Sequence, residues 1–397
     1  MFTPIRDIAP SIVAFALSWA LLAVALPAPT VAEDACESGS PGGWTPARPD
    51  IDRTGNRVVV PRPCEPLDGS FEDFQLDGRP AWVLAHEAER ANHWILAYED
   101  GRAARLAPGA GRLTAIESSR RGAEPPMLSE SEDGRLLVEP WTEDDEGGGA
   151  DPIPHGRSVS TGIVGASLAG PTDRYPHGVL GDDVEASALQ IRTDSSGIRP
   201  RIELPEHEVI EGISAIAARF SERESGFLVT VSDAENGARL RAYGEDGEVI
   251  AESDSIGQGF RWLHQIGVGR TGPDREIEVI AVRTPHIGGV VEAYQLVGDR
   301  FERVAEIEGY SSHVIGSPNL DMALVVDADA DRQLEVVVPT QDMTELAILD
   351  RTDEGFEEVM RLSLGGRLTT NVAAAIDGLG RLSLAAGTDD GRLRVFR

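Results

Sequence analysis

Lysine is absent from the chain: all 36 basic residues are arginines, and they stand against 67 aspartates and glutamates. Without lysine the protein has no amine for Schiff-base chemistry and no lysine for a phosphate-binding loop. The net charge of −31 also argues against nucleic acid and anionic membranes as partners, because phosphate binding requires clustered cations. The carboxylate excess favours solubility, or attracts cations and basic partners.

Long apolar runs are scarce, and the clearest one lies at the start, in "MFTPIRDIAPSIVAFALSWALLAVALPAPTVA". This run, residues 12–26, is shorter than the roughly 20 residues that a membrane-spanning helix needs. Thr30 and Ala32 suit the −3 and −1 positions of a cleavage site, so residues 1–32 are predicted to be a secretory signal peptide. We expect an exported protein, periplasmic or extracellular, with no transmembrane segment after cleavage.

Cysteine is limited to Cys36 and Cys64, which both follow the predicted signal peptide. In an oxidising compartment two such cysteines persist as a disulfide. In the chain-entropy model, closing a loop of this size is worth about 3 kcal/mol. The sequence thus predicts that residues 33–70 form an N-terminal segment tied by a Cys36–Cys64 disulfide.

No long amphipathic helical pattern follows the signal peptide. Short β-branched runs bounded by Gly, Asp or Pro recur instead, as in "FLVTVSD", "EIEVIAV" and "LEVVVPT". Such runs are typical of strands. The sequence therefore predicts an all-β fold.

One pattern recurs along the chain: an apolar strand, a turn with Asp and Gly, and a second strand. Aligned on their fourth residues, the copies fall on Tyr98, Arg192, Tyr243, Tyr294, Leu349 and Phe396. Most neighbouring copies are about 50 residues apart, whereas Tyr98 and Arg192 are separated by 94, which leaves one repeat hidden in the irregular stretch 112–159. Seven repeats of this length predict a seven-bladed β-propeller of four-stranded blades over residues 71–397.

The final repeat ends at Arg397 after its third strand, which leaves that blade one strand short. The isolated strand-like run "NRVVVPRP" near the N-terminus could supply it. We therefore expect residues 58–60 to lie on the outside of the last blade and to close the ring, which removes two exposed edges. The alternative is an open β-solenoid, which leaves this run without a partner.

An alternating acidic stretch, "VVDADADRQLEVVVPT", joins the first and second predicted strands of one blade. The side chains of Asp327, Asp329, Asp331 and Glu335, with the backbone carbonyl of Gln333, match positions 1, 3, 5, 9 and 7 of a calcium loop. Structural calcium is the only cofactor that the sequence predicts. The alternative is a metal-free structural loop that an arginine bridges.

The same stretch resembles the FG-GAP or VCBS repeat of integrin-like propellers. The longer run "GYSSHVIGSPNLDMALVVDADADRQLEVVVP" resembles bacterial exported proteins built from such repeats. In that family the loop reads D-x-D-G-D-G-x-x-D, whereas Ala330 and Arg332 replace both glycines here. The resemblance implies a seven-bladed propeller that binds rather than catalyses, and it covers the other blades only through repeat length and strand order.

Sequence motifs that resemble catalytic or cofactor-binding sites lack the flanking structure or the spacing that those sites require. "GVGRTG" matches a dinucleotide-binding pattern, yet a proline and a strand follow where a helix is required. "HEAERANH" places His86 and His93 seven residues apart in an expected inter-strand loop, which is not zinc-protease spacing. No G-x-S-x-G is present in the sequence.

Loops that enter first strands and loops that join second to third strands emerge on one face of a propeller. Six candidate ligand-binding residues fall in such loops: His264, His286, His313, Asp342, Asn371 and Asp389. Imidazoles, carboxylates and an amide around a channel mouth could bind a metal, a sugar or a peptide. We expect the three histidines to share one neighbourhood and to make binding pH-sensitive between about pH 5 and 8. The alternative is that each histidine only caps a loop through hydrogen bonds.

Two classes of function remain. The first is a non-catalytic exported binding or scaffolding propeller, a monomer whose ligand is a protein, a peptide or a carbohydrate. The second is an extracytoplasmic propeller enzyme, such as a hydrolase, a lyase or a quinone-dependent dehydrogenase. Propellers host both classes, and the lack of a nucleophile–base motif favours binding.

Overall fold

The computed structural model describes residues 58–59, 63–88, 91–107, 109–122, 124–131, 133, 135–140, 151–162, 164–193 and 197–397. The chain divides into two compact units, Met1–Gly42 and Gly43–Arg397, and every described residue belongs to the second. The predicted signal peptide and Cys36 lie outside the described residues. Both the cleavage and the Cys36–Cys64 disulfide therefore stay predictions.

The described residues form strands, turns and loops without any helix, which confirms the all-β prediction. The first half of the chain contains β1 (Val58–Val59), β2 (Phe71–Gln75), β3 (Pro80–Ala88), β4 (Ala91–Tyr98), β5 (Ala103–Leu106), β6 (Leu113–Ser118), β7 (Pro126–Glu130), β8 (Leu136–Pro140), β9 (Val159–Ser160), β10 (Val164–Thr172), β11 (Glu185–Thr193), β12 (Gly197–Glu203), β13 (Glu208–Ile210) and β14 (Ile216–Arg219). The second half contains β15 (Ser225–Asp233), β16 (Gly237–Gly244), β17 (Val249–Ser253), β18 (Leu263–Arg270), β19 (Ile277–Arg283), β20 (Val290–Val297), β21 (Arg300–Glu308), β22 (Leu324–Val326), β23 (Glu335–Pro339), β24 (Glu345–Thr352), β25 (Gly355–Ser363), β26 (Ala373–Ile376), β27 (Leu382–Thr388) and β28 (Arg392–Phe396). In the part of the chain described, no helix has the length and apolar character to cross a membrane.

The strands follow one another in antiparallel runs of four. Such runs are β3–β6, β9–β12, β14–β17, β18–β21 and β22–β25. The last sheet consists of β26, β27 and β28 with β2 on its outer side. Neighbouring runs also join at their edges, because β17 pairs in parallel with the outer strand β21.

The burial pattern of each strand explains its position, inner or outer, within its run of four. The second strands β15 and β19 are apolar and buried on both faces, because sheets pack against each of their sides. The outer strand β21, "RFERVAEIE", instead has exposed side chains on one face and partly buried ones on the other, as expected for a strand with one solvent-exposed face. The hydrophobic pattern thus sets the order of strands within each run.

Adjacent sheets pack face to face in chain order, and the last one packs on the first. The first strands of successive runs contact each other in the pairs β9–β14, β14–β18 and β18–β22. One apolar cluster unites Val83 and Leu96 of the first sheet with Ala385 and Val395 of the last sheet. The result is a propeller-like arrangement of curled sheets.

The predicted closing strand is wrong. Residues 58–59 form β1, which pairs in parallel with the first strand β22, on the inner side of its sheet. Val60 lies outside the described residues. The outer edge of the last sheet is instead taken by β2, which pairs antiparallel with β28 along five residues from Phe71 to Gln75. The reason is complementarity: Arg394 of β28 lies over the Phe71 ring at 3.8 Å and binds both carboxylate oxygens of Asp73 at 2.6 Å.

Candidate functional site

The three predicted histidines do meet, around the indole of Trp262. The Trp262 ring lies 4.6 Å from the His264 ring, 6.0 Å from the His286 ring and 5.0 Å from the His313 ring, measured between centroids. Trp262 and His264 lie at the entry to the first strand β18, and His286 lies in the loop between β19 and β20. The structure therefore gathers loops of both predicted kinds at one place.

Hydrogen bonds hold the imidazoles of the histidine cluster, His264, His286 and His313, in place. His313 Nε2 lies 2.7 Å from the carbonyl oxygen of Ser317, so Nε2 carries a proton and donates it. His313 Nδ1 lies 2.9 Å from His286 Nε2, which donates to it when His313 is neutral. His264 Nδ1 is 2.8 Å from the Ser312 hydroxyl. Two of the three imidazoles, His264 and His313, are buried, and His286 is half-buried.

Burial lowers the pKa of His286 to about 4, and the nearby His177 adds to this effect. The imidazole is therefore neutral throughout pH 5 to 8. The expected pH-sensitive binding in that range is not supported for His286, because sequence position alone did not show how far the ring is removed from water.

A second arm of the site comes from the twelve-residue loop 173–184 between β10 and β11, which the sequence reasoning missed. His177 Nδ1 lies 2.5 Å from Glu211 Oε1, and the Ser232 hydroxyl donates to Glu211 Oε2 at 2.5 Å. Tyr175 stacks on Phe260 with ring centroids 4.8 Å apart. The only signal was the pair of aromatic and imidazole residues in "RYPHG", a short motif in a polar loop.

Loop tips fill the space beneath the cluster. Val179 and Leu180 of loop 173–184 pack with Ile213, Trp262 and Leu320 in one buried apolar cluster. A deep pocket for a ligand at this point is therefore largely closed by the protein's own side chains. The solvent-exposed part of the site is therefore the surface of the loops.

That surface carries exposed apolar side chains, which we call the apolar strip: Phe260, Ile287 and Ile315. Ile287 and Ile315 are 65% and 64% exposed, and Phe260 is 39% exposed. Ile287 and Ile315 lie within two residues of His286 and His313, and Phe260 lies two residues from Trp262. Apolar side chains that are grouped and exposed on a rigid support are typical of interaction surfaces.

An open groove of about 520 Å³, which we call the rim groove, is lined by residues 308–310 and 340–342 with Glu345 and Arg361. Its floor is Gly309 and Tyr310, and loop 340–344 forms one wall. Gln341 ties this wall to the loop that bears Ile287: its Oε1 accepts from Gly289 N at 2.6 Å, and its Nε2 donates to Pro285 O at 2.9 Å.

The other three predicted site residues behave differently from one another. Asp342 lines the rim groove next to Gln341, whose side chain bonds the loop that carries His286. Asn371 is buried, and its amide binds both the N–H and the C=O of Val83, at 2.9 and 2.7 Å. Asp389 accepts a hydrogen bond from Arg367 N in a turn of the last sheet. Asn371 therefore ties two sheets together, and neither it nor Asp389 has a described contact with the histidines.

The acidic loop joins β22 to β23, as predicted. Carboxylate oxygens of Asp327, Asp329 and Glu335 lie within 4.8 Å of one another. Asp327 Oδ1 is buried and has no hydrogen-bond partner among the described residues. Asp331 lies outside this group, and its carboxylate accepts from Gln333 N at 2.7 Å.

The two positions that replace the family's glycines have left-handed backbone. Ala330 has a φ of 68° and Arg332 a φ of 81°, conformations that glycine adopts at less cost. An arginine does reach the loop, but it is Arg275, which donates to the backbone oxygen of Asp331 at 3.1 Å. The acidic loop thus keeps the shape that the family's sequence implies without its glycines.

In the described part of the chain, no arginine forms an ion pair with Asp327, Asp329 or Glu335 of the acidic loop. Burial, together with the nearby aspartates, raises the pKa of Glu335 to about 9. In the preceding sheet, the buried Glu278 has the same place at the start of a second strand. There the Arg351 guanidinium binds it at 3.1 and 3.2 Å. Glu335 differs from Glu278 in that no arginine of the described residues forms an ion pair with it.

His86 and His93 do not lie in an inter-strand loop, as the sequence suggested. They face each other across the hairpin β3–β4, with ring centroids 5.9 Å apart. Burial lowers the pKa of both imidazoles. Among the described residues, the one group of three or more potential metal ligands is in the acidic loop, and it does not include this pair.

Comparisons with known proteins give a limited result. No protein-family model matches the sequence. No curated protein matches it either. A solved structure with a similar fold is the crystal structure of BBS1N in complex with ARL6DN, at a TM-score of 0.40 and 13% identity, over 82% of this chain and 95% of that chain. The FG-GAP or VCBS resemblance therefore stays a prediction.

Proposed function

We propose that the protein is an exported propeller that binds a protein or peptide partner through the apolar strip and acts as a scaffold. The apolar strip carries this proposal, because three large apolar side chains are exposed together on loops whose bases are buried and hydrogen-bonded. Such a support holds a surface in one shape before binding, which lowers the entropic cost of association.

The hydrogen bonds at His177 favour binding over catalysis. A hydrolytic serine needs a base that accepts its proton, and that base is usually an imidazole. Ser232 is fully buried and donates to Glu211 instead, and Glu211 is also the partner of His177. Glu211 therefore separates the hydroxyl from the imidazole, and this network positions loop 173–184.

The architecture that goes with this function is a monomeric ring of seven four-stranded blades, closed by β2. The repeat spacing of about 50 residues supports the blade number. The packing of the last sheet on the first supports the closed ring. Membership of the FG-GAP or VCBS repeat proteins is part of the same proposal, and it rests on the acidic loop.

A structural calcium ion belongs to the proposal. Asp327, Asp329 and Glu335 would hold it, and their hard carboxylate oxygens are the donors that calcium prefers. Two observations support the fit: the unpartnered buried Asp327 Oδ1, and the absence, in the described part of the chain, of an ion pair to Glu335. The ion would add fixed charge and no chemistry. Leu67 N donates to Ala328 O at 2.7 Å, so the ion would also brace the N-terminal segment.

Site-specific photo-crosslinking tests the proposed function. A photoreactive residue in place of Ile287 should give one discrete crosslinked protein in the extracytoplasmic fraction of the native host. Leu379 is the matched control, because it is 66% exposed and lies in a first-to-second strand loop, at the opposite end of its strands. The purified partner should then bind the wild-type protein and not Ile287→Asp. Equal crosslinking from position 379, or equal binding by Ile287→Asp, would show that the apolar strip is not the binding surface.

A further inference from the structure

The rim groove has an acidic border that is not neutralised. Glu308 is exposed and has no ion pair among the described residues. Asp342 is also exposed, and hydrogen bonds from the Thr340 hydroxyl and Thr344 N keep its carboxylate ionised by lowering its pKa. Both carboxylates are thus available to a charged group that enters the groove.

The one cation of the groove, Arg361, is already shared between two other carboxylates. Its Nε and Nη2 donate to Glu358 at 2.8 and 2.6 Å, and its Nη1 donates to Glu345 at 3.3 Å. Tyr310, on the floor, donates its hydroxyl to Glu358 at 2.7 Å. These contacts leave the groove with a clear excess of negative charge.

The rim groove and the apolar strip form one continuous surface. Gln341 bridges the loop that carries Ile287 to the wall that carries Asp342. On the other side, loop 173–184 reaches the loop of Ile315, since Gly316 N donates to Val179 O at 2.8 Å. An extended peptide laid across this surface would meet an apolar patch first and an acidic groove next.

Resting on the proposed function, we infer that the partner segment is basic. An apolar side chain of the partner packs against Ile287 and Ile315, and an arginine or lysine a few residues away enters the rim groove between Glu308 and Asp342. Complementary charge of this kind sets the choice of partner and the rate of association. The net charge of −31 acts in the same direction, because it attracts basic segments and repels acidic ones.

A peptide selection tests this inference. A random heptapeptide library displayed on phage is selected on the immobilised mature protein, with counter-selection on Ile287→Asp. We expect enriched peptides with an apolar residue and an arginine or lysine. Synthetic copies should lose affinity about threefold with each of Glu308→Gln and Asp342→Asn, the size expected for one exposed ion pair. Glu302→Gln, a similarly exposed glutamate on the same strand as Glu308, is the control and should have no effect.

The outcomes separate this inference from the function on which it rests. Enriched peptides that depend on Ile287 but lack basic residues, or that ignore both groove variants, would overturn the basic partner and leave the binding surface intact. A library that yields no peptide dependent on Ile287 would overturn both. Added salt should weaken the wild-type complex and have little effect on the complex of the Glu308→Gln/Asp342→Asn double variant.

Discussion

Glu278 and Glu335 are buried glutamates at the starts of neighbouring second strands, and they differ in what faces them. Arg351 supplies the cation for Glu278, and both side chains are almost completely buried. Replacing Arg351 with methionine should destabilise the protein by about 3 kcal/mol, because the buried Glu278 carboxylate keeps hydrogen bonds from Thr271 and Gln295 but loses its cation. Urea unfolding measures the change. The double variant Arg351→Met/Glu278→Gln should recover most of the loss, and equal destabilisation by both variants would contradict the ion-pair explanation.

Calcium should raise the melting temperature if the acidic loop holds it. A ligand at one hundred times its dissociation constant stabilises a protein by about 2.7 kcal/mol. Asp329→Ala removes one of the three converging carboxylates and should abolish the rise. Asp331→Ala is the matched variant in the same loop, and it should keep most of the rise because Asp331 lies outside that group. Loss of the rise in both variants would favour the five-ligand set that the sequence predicts.

His286 gives the protein an acid-sensitive stability rather than pH-sensitive binding. Its pKa is about 4 in the folded protein and 6.5 in an unfolded chain. Between these values the unfolded chain takes up the proton first, so stability is complete above pH 6.5 and is lost as the pH falls towards 4. His286→Gln should flatten this part of the pH profile, measured by urea unfolding. His207, 74% exposed, is the control: a His207→Gln variant with the same flattening would contradict the assignment.

At the scale of the strand, β2 completes the last sheet and β1 does not. A chain that begins at residue 63 lacks β1 but keeps β2, and we expect it to fold with native circular dichroism. A chain that begins at residue 77 also lacks β2, which exposes the edge of β28 and leaves Arg394 without Asp73. It should aggregate or unfold at a lower temperature. The opposite order of stability would restore residues 58–60 as the closing strand.

The strands show what sequence reasoning could and could not reach. Regular strands such as β19 and β23 were evident because both their faces are apolar. β2, "FEDFQ", was missed because its charges are matched only in the folded protein, by Arg394 and Arg397. The repeat alignment also placed residues of different strands in equivalent positions. Tyr243 and Tyr294 lie in third strands, whereas Tyr98 ends β4, the second strand of its run.

The candidate site was predictable only where regular strands determine the position of its residues. His264, His286 and His313 lie near strand ends, so strand order was enough to bring them together. His177 and Glu211 come from an irregular loop and a turn, and no periodic pattern places such residues. Asn371 lies at the expected place, but backbone partners from another sheet occupy its amide. Distant contacts of this kind are set by packing and leave no local signal.

At the scale of the whole molecule, charge opposes folding. Even if every one of the 36 arginines paired with one carboxylate, 31 of the 67 would remain without a partner, which is the net charge of −31. Repulsion among them acts over about 30 Å at 0.01 M salt and over about 8 Å at 0.15 M. Exposed ion pairs are each worth only about 0 to 1 kcal/mol, so screening should weaken the repulsion more than it weakens the pairs.

We therefore expect the melting temperature to rise between 0.01 and about 0.3 M KCl, followed by calorimetry in a chelator so that calcium plays no part. The same salt should weaken the complex with a basic peptide, because that attraction is screened as well. The two effects have opposite signs, so a general action of salt on protein structure cannot produce both. A melting temperature that falls with KCl would mean that the arginine pairs, rather than the uncompensated carboxylates, dominate the electrostatics of this protein.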